Sequence, residues 1–238
     1  DRVGSLMWNH YRHFEMYQAV PSMGAVLHTL NIRLASGDLE YIINHGNDRV
    51  IVVDDVLLPI LEPLVPKLNS VELIIVSSES RDWDATIPGA VDYEDFIDGG
   101  SSDFVWPELD ENSPLGLCYT SGTTGHPKGA MYTHRSTYLH TMAEAMTDTM
   151  AMSATDTVFG IVPMFHAMCW GLPYTATMLG AKQVYPNRFM APDQLLDLMA
   201  VETVTLACGV PTIWQGVRSA IESNPDRWDL SNLERVLC

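Results

Sequence analysis

Short runs of β-branched and apolar residues recur along this chain, and helix-length stretches separate them. "RVIVVDD" (49–55) and "VELIIVSS" (71–78) are the plainest. Each is apolar over its middle and ends in polar residues, the pattern of a strand buried on both faces. "RVGSLMW" (2–8) and "GAVLHTL" (24–30) read the same way. Parallel strands need a long crossover connection, and a helix in that connection packs back on the sheet. The expected class is therefore α/β, with mostly parallel sheets flanked by helices.

The intervening stretches fit that scheme. A helix is expected from Tyr11 to about Met23, with Pro21 kinking or ending it. Ser36 reads as the N-cap of a helix over Asp38 to His45, with Asp38 in the first turn. "VLLPILEPLVPKL" carries three prolines and predicts a short, broken helix. From Ser77 to Pro114 the pattern weakens into "DGGSSDFVWPELDENSP", which reads as a linker or subdomain seam. Alternation then resumes. Strands are expected at Leu115–Thr120 and Ala130–Thr133, then a helix from about Arg135 to Met150. Further strands are expected at Thr157–Val162, Lys182–Tyr185 and Thr203–Cys208. Helices should follow Pro192 and Pro211, which suit first-turn positions.

Composition narrows the function classes. Thirteen basic residues against thirty acidic ones leave a net charge of −17. A nucleic-acid binder must neutralise phosphates with Lys and Arg, so that partner is excluded from the expectations. Anionic lipid is disfavoured for the same reason. Cys118, Cys169, Cys208 and Cys238 are scattered, without a CxxC pair, which points to neither zinc nor a redox motif. A reducing, cytoplasmic setting is the default, with membrane association as the alternative. Thr157 to Ala181 has no Asp, Glu, Lys or Arg and is long enough to cross a bilayer. Its prolines and glycines argue instead for buried structure around an apolar cavity, with no transmembrane segment.

The chemistry concentrates in "CYTSGTTGHPKGAMYTHRS" (118–136). Glycines let a backbone turn tightly and expose its amides, and hydroxyls offer donors to phosphate oxygens. Three familiar phosphate loops fail here. From Gly122, Pro127 stands where a Walker loop needs its second Gly, and Gly129 where it needs Ser or Thr. Thr124 stands where the dinucleotide fingerprint needs Gly. A kinase Gly-rich loop fails at the same position, and no HRD or DFG follows.

"YTSGTTGHPKG" (119–129) resembles the signature loop of the adenylate-forming superfamily, which comprises acyl-CoA synthetases, adenylation domains and luciferases. The resemblance implies that Thr120, Ser121, Gly122, Thr123, Thr124, Gly125 and Lys128 hold the β- and γ-phosphates of ATP, with Thr120 near Mg2+. "VPMFHAMCWGLPY" (162–174) is similar to a second core motif of that family. There His166 would lie beside the acyl carboxylate and α-phosphate, as the catalytic residue, and Trp170 would gate an acyl tunnel. For a lone histidine a core position is the ordinary alternative, and for Trp170 it is plain packing. "CGVPTIW" (208–214) resembles a stretch bordering the acyl pocket, through Gly209, Val210 and Pro211. The upstream part, "GAVLHTLNIRLASGDLEYIINHGNDRVIVVDD", is similar to the fatty acyl-CoA synthetase branch and its short-chain relatives.

The implied activity is that of an acid–thiol ligase: ATP activates a carboxylic acid, of the fatty class, to acyl-AMP, and CoA takes the acyl group. ATP, Mg2+ and CoA are the implied cofactors and co-substrates. A small carboxylic acid is the other partner, and a homodimer is a candidate assembly. Two alternatives stay open: adenylation without CoA, and a non-catalytic fragment. The opening "DRVGSLMW" and closing "LSNLERVLC" read as a chain cut at both ends. Residues 1–238 would then be an incomplete N-terminal AMP-binding domain, without the small C-terminal domain. Contacts to adenine and ribose, and the catalytic lysine, are expected beyond Cys238.

Overall fold

The computed structural model describes residues 1–84, 87–120 and 126–238. The elements in chain order are β1 (Arg2–Leu6), α1 (Tyr11–Ser22), β2 (Val26–Thr29), α2 (Ser36–Gly46), β3 (Val50–Asp54), α3 (Leu58–Leu61) and β4 (Leu73–Ser77). Next come β5 (Val91–Asp92), α4 (Tyr93–Asp98), β6 (Pro114–Thr120), β7 (Lys128–Thr133) and α5 (His134–Ala145). The series ends with β8 (Thr157–Gly160), α6 (Leu172–Leu179), β9 (Lys182–Val184), α7 (Pro192–Val201), β10 (Leu206–Cys208), α8 (Pro211–Ser223) and β11 (Arg235–Leu237).

These elements form two compact units. The first comprises Asp1–Trp8, Glu15–Ser136 and Met164–Met168. Its sheet has the order β5-β4-β3-β1-β2-β6-β7. Every pairing is parallel except β6 with β7. The β-branched runs occupy the middle, where both faces are covered. Ile51, Val53, Ile74 and Val76 pack with Leu39, Ile42 and Ile43 of α2 in one cluster. Burying each such side chain stabilises the fold by about 1.5–3 kcal/mol. Helix α2 buries Leu39, Ile42, Ile43 and Gly46, an i, i+3, i+4, i+7 stripe, and Asn47 ends it in the left-handed region at φ 55°. Residues 77–114 lie inside this unit, where β5 pairs with β4.

The second unit comprises Asn9–Phe14, Thr137–Pro163 and Cys169–Cys238. Its parallel sheet has the order β11-β10-β8-β9. Phe159, Ala207 and Val184 from the strands pack with Leu195, Leu196 and Met199 of α7 and Val217 of α8. Pro192 and Pro211 open α7 and α8, where a missing N–H costs nothing.

Two expectations need correction. Ser36 is the first helical residue rather than the cap. Ala35 is the N-cap, with extended backbone (φ −64°, ψ 150°) and no side-chain acceptor. Helix α5 stops at Ala145, because the Thr149 hydroxyl turns back onto the carbonyls of Ala143, Glu144 and Met146. The uncharged stretch from Thr157 holds β8, a 3-10 turn at Ala167–Gly171 and the eight-residue α6. No helix among the described residues is long and apolar enough to cross a membrane.

Candidate functional site

Strand β6 carries the chain to the hydroxyl- and glycine-rich loop, and β7 carries it away. The two strands are antiparallel, with Tyr119 opposite Gly129 and Thr120 opposite Lys128. The loop's ends are thus held side by side. Thr120 and Lys128 are both exposed, and the Thr120 hydroxyl donates to the Lys128 carbonyl at 3.4 Å. Leu115, Leu117 and Tyr119 are buried behind them. A Cβ on Gly129 would stand 3.0 Å from Leu117 Cδ1 and 3.2 Å from Tyr119 Cζ, so glycine lets the Tyr119 ring lie flat there. Ser121, Gly122, Thr123, Thr124 and Gly125 lie outside the described residues.

His166 is exposed. Its neighbours are pinned. The Tyr17 hydroxyl donates to the Met164 carbonyl. Phe165 is buried, edge-on to Trp8 at 6.0 Å and beneath the Arg33 guanidinium at 5.7 Å. Met168 is buried against Gly116, where a Cβ would meet its Cε at 2.8 Å. A side chain that faces solvent between buried anchors is well placed to meet a ligand.

Ala167, Met168, Cys169 and Trp170 have φ of 47°, 49°, 52° and 54°, and Gly171 follows at 81°. For non-glycine residues this left-handed backbone costs about 1–2 kcal/mol each. Surrounding contacts must hold it. The Cys169 thiol, fully buried, donates to the Val162 carbonyl at 3.0 Å. Burial foremost, with the Cys208 and Glu144 charges, pushes that thiol well above its ordinary range, so it stays a neutral donor. Trp170 is half-buried, and its carbonyl accepts from His140 Nε2 at 3.0 Å. His140 also lies 3.1 Å from the buried Glu144 carboxylate, which accepts a hydrogen bond from Thr175. Desolvation raises the Glu144 pKa despite both partners.

Gly209 is buried and Val210 and Pro211 are exposed, at the point where β10 gives way to α8. Gly209 gives room for the Trp214 indole, whose Nε1 donates to the Gly209 carbonyl at 2.9 Å. The exits of β8 and β10 are tied together: the amides of Ile161 and Val162 both donate to the Cys208 carbonyl. Asn9 Nδ2 adds bonds to the carbonyls of Gly160 (3.0 Å) and Val162 (2.8 Å). All three candidate segments therefore leave carboxyl ends of parallel-sheet strands, where open α/β sheets bind ligands.

A group of rings also borders the loop. His126 stacks on Tyr41 at 4.5 Å, and Tyr41 on His45 at 5.2 Å. His45 Nδ1 is 2.6 Å from the Tyr119 hydroxyl. The Tyr119 ring lies 5.2 Å from His28, whose Nδ1 is 2.8 Å from both carboxylate oxygens of Asp48. Sequence reasoning missed Tyr41, His45 and His140. Their only signal was the i, i+4 spacing of Tyr41 with His45 and of His140 with Glu144 on a helix.

A sequence model of the AMP-binding enzyme family matches residues 1–238. The chain belongs to that family. It is 45% identical, over 94% of its length, to a medium-chain-fatty-acid–CoA ligase of Ectopseudomonas oleovorans, and covers 41% of that relative. It is 46% identical over 91% of its length to a 3-methylmercaptopropionyl-CoA ligase of Ruegeria lacuscaerulensis, covering 40% of it. A long-chain-fatty-acid–CoA ligase of Thermus thermophilus is 42% identical over the whole chain, which covers 42% of that protein. The chain thus spans about two fifths of the curated relatives it matches. The crystal structure of a long-chain-fatty-acid–CoA ligase from Archaeoglobus fulgidus superposes with TM-score 0.84 at 25% identity, over 98% of this chain and 44% of that one. The α/β fold expected from the strand pattern is that of these enzymes.

Proposed function

We propose that the full-length protein is an ATP-dependent acid–CoA ligase. In this reading residues 1–238 are part of its N-terminal AMP-binding domain, with the ATP phosphate loop at 119–129. The observation that carries it is the hairpin that sets Thr120 opposite Lys128 at the mouth of a hydroxyl- and glycine-rich loop. The relatives named for fatty acids favour a fatty or medium-chain acid as substrate.

The chemistry needs positioning and charge more than covalent work by the protein. A carboxylate oxygen attacks the α-phosphorus of ATP. The bond from that phosphorus to the α–β bridging oxygen breaks, and pyrophosphate leaves. Lys128 and the loop hydroxyls restrain the leaving pyrophosphate and stabilise its charge. His166 donates a hydrogen bond to the carboxylate or α-phosphate as charge develops between them. The CoA thiolate then attacks the acyl carbonyl, and AMP departs. Trp170, with Gly209, Val210 and Pro211, borders the acyl chain.

Among the described residues no group of three or more His, Cys, Asp or Glu could hold a metal ion. Among the described residues of this segment, the exposed Thr120 hydroxyl is an oxygen that could meet Mg2+, which fits an ion that arrives on the nucleotide's phosphates. When bound, the ion neutralises charge on the departing pyrophosphate.

Thioester formation tests the reading. Full-length protein with ATP, CoA and a panel of straight-chain acids should release AMP and form acyl-CoA with at least one medium or long acid. Hydroxamate formed with hydroxylamine, but never thioester, would establish adenylation without CoA. Absence of both products with every acid would refute acid activation.

A further inference from the structure

We propose that one face of strand β6 is the seat that aims His166, with Cys118 and Thr29 as positioning residues that act through it. The inference rests on the acid-activating reading above, in which His166 meets the carboxylate or α-phosphate, and adds what holds it there.

Side chains alternate along a strand, so Gly116, Cys118 and Thr120 share one face of β6. Leu117 and Tyr119 turn to the other face, into the core that includes α2. Thr29 of β2 stands directly opposite Cys118 in the parallel ladder. Its hydroxyl lies 3.1 Å from the Cys118 sulfur and 4.0 Å from the Met168 sulfur. The backbone amides of Met168 and Ala167 donate hydrogen bonds to the same Cys118 sulfur. Met168 fills the space over Gly116, where a Cβ would stand 2.8 Å from its Cε and 3.2 Å from its Sδ. Cys118, Thr29 and Met168 are all buried. Burial foremost raises the Cys118 pKa and outweighs the bonds from Thr29, Met168 and Ala167, so the sulfur is a neutral thiol.

A buried cysteine packs as a small apolar group and needs no polar partner. Three groups converge on this one, and two of them belong to the segment that follows His166. Ala167 and Met168 have φ of 47° and 49°, in the left-handed region that side chains rarely adopt. Such a backbone persists only where its surroundings hold it. Here the hold is a sulfur fixed on the central part of β6 and a methionine side chain lodged over a glycine. His166 immediately precedes Ala167, and the buried Phe165 fixes its other side. Loss of the seat frees the downstream anchor alone, and the direction of the imidazole goes with it. Thr120 lies two residues beyond Cys118 on the same strand face, about 7 Å along it. The strand that presents Thr120 therefore also sets the direction of His166.

A double-mutant cycle in the full-length protein tests this, read by acid-dependent exchange of pyrophosphate into ATP over a range of ATP concentrations. Cys118→Ala should lower the maximal rate about tenfold and leave KM for ATP within about twofold of wild type. Cys118→Ser keeps a hydrogen-bonding atom in place and should recover most of the rate. In the His166→Ala background, Cys118→Ala should lower the rate by less than about twofold further, because a residue that acts through the imidazole then has nothing left to aim. A tenfold loss in both backgrounds, or no loss in Cys118→Ala alone, overturns the seat. Thr29→Val removes the hydroxyl at nearly constant volume and takes the place of Cys118→Ala in the same cycle if that variant fails to fold. Amide hydrogen exchange at Ala167 and Met168 gives a readout independent of turnover. It should quicken in Cys118→Ala and not in Cys118→Ser, and unchanged exchange rejects the seat. Should wild type catalyse no exchange of pyrophosphate, the ligase reading falls, and the amide measurement alone decides the seat.

Discussion

Lys128 and His166 reach solvent from opposite kinds of support. Lys128 stands at the first position of a strand, opposite Thr120, where β6 and β7 fix its backbone. His166 stands in an irregular segment whose order comes from buried neighbours on both sides, Phe165 and Met168. Removing the imidazole should therefore cost chemistry rather than stability. In the full-length protein His166→Ala is expected to lower the rate of acid-dependent pyrophosphate exchange by about 10²-fold, the scale of losing one well-aimed donor to a developing charge. The melting temperature should be unchanged. An unaltered exchange rate would remove His166 from the site.

At the scale of elements, the second unit's sheet is tied at the amino ends of its strands by Asp156. This buried carboxylate, just before β8, accepts from the Thr205 hydroxyl at 2.7 Å and the Ser153 amide at 2.7 Å, and pairs with Arg235 of β11. Desolvation pushes its pKa up, but the Thr205 and Ser153 hydrogen bonds and the Arg235 charge outweigh it, and the pKa is lowered from 3.8. A depressed acid contributes stability that is present above its unfolded value and lost as pH falls through its folded one. Asp156→Asn should therefore cost about 2 kcal/mol at pH 7, a figure reduced from that of a wholly buried pair because Arg235 is partly exposed. The gap between wild type and variant in urea denaturation should close as pH falls below 3.8. A gap that persists at low pH would mean the charge pair contributes nothing. This tie also marks the limit of sequence reading. The apolar runs of β3 and β4 announced parallel strands because their burial on both faces is written into residue type. No such signal existed for Asp156 and Arg235, which are 79 residues apart, nor for β2 lying beside β6. The uniform apolarity around α6 hid a helix, since without polar residues there is no period to count. The hydroxyl- and glycine-rich loop stood out through its composition. The Tyr41–His45 pair did not, because a half-buried Tyr and an exposed His one turn apart mean little until His126 and Tyr119 lie against them.

For the whole molecule, each candidate segment takes its place from the strand it follows. Loop 119–129, the His166 segment and the Gly209 turn all follow the carboxyl ends of parallel-sheet strands, while the amino ends carry ties such as Asp156. The central proposal is that Lys128 and His166 of the full-length protein support attack of a carboxylate on the α-phosphorus of ATP. Isotope exchange between pyrophosphate and ATP measures that reversible step without CoA. The full-length protein should incorporate labelled pyrophosphate into ATP only when a fatty acid is present, and Lys128→Ala should slow incorporation at sub-saturating ATP by about tenfold or more. Incorporation that needs no acid, or none with any acid tried, would contradict the account.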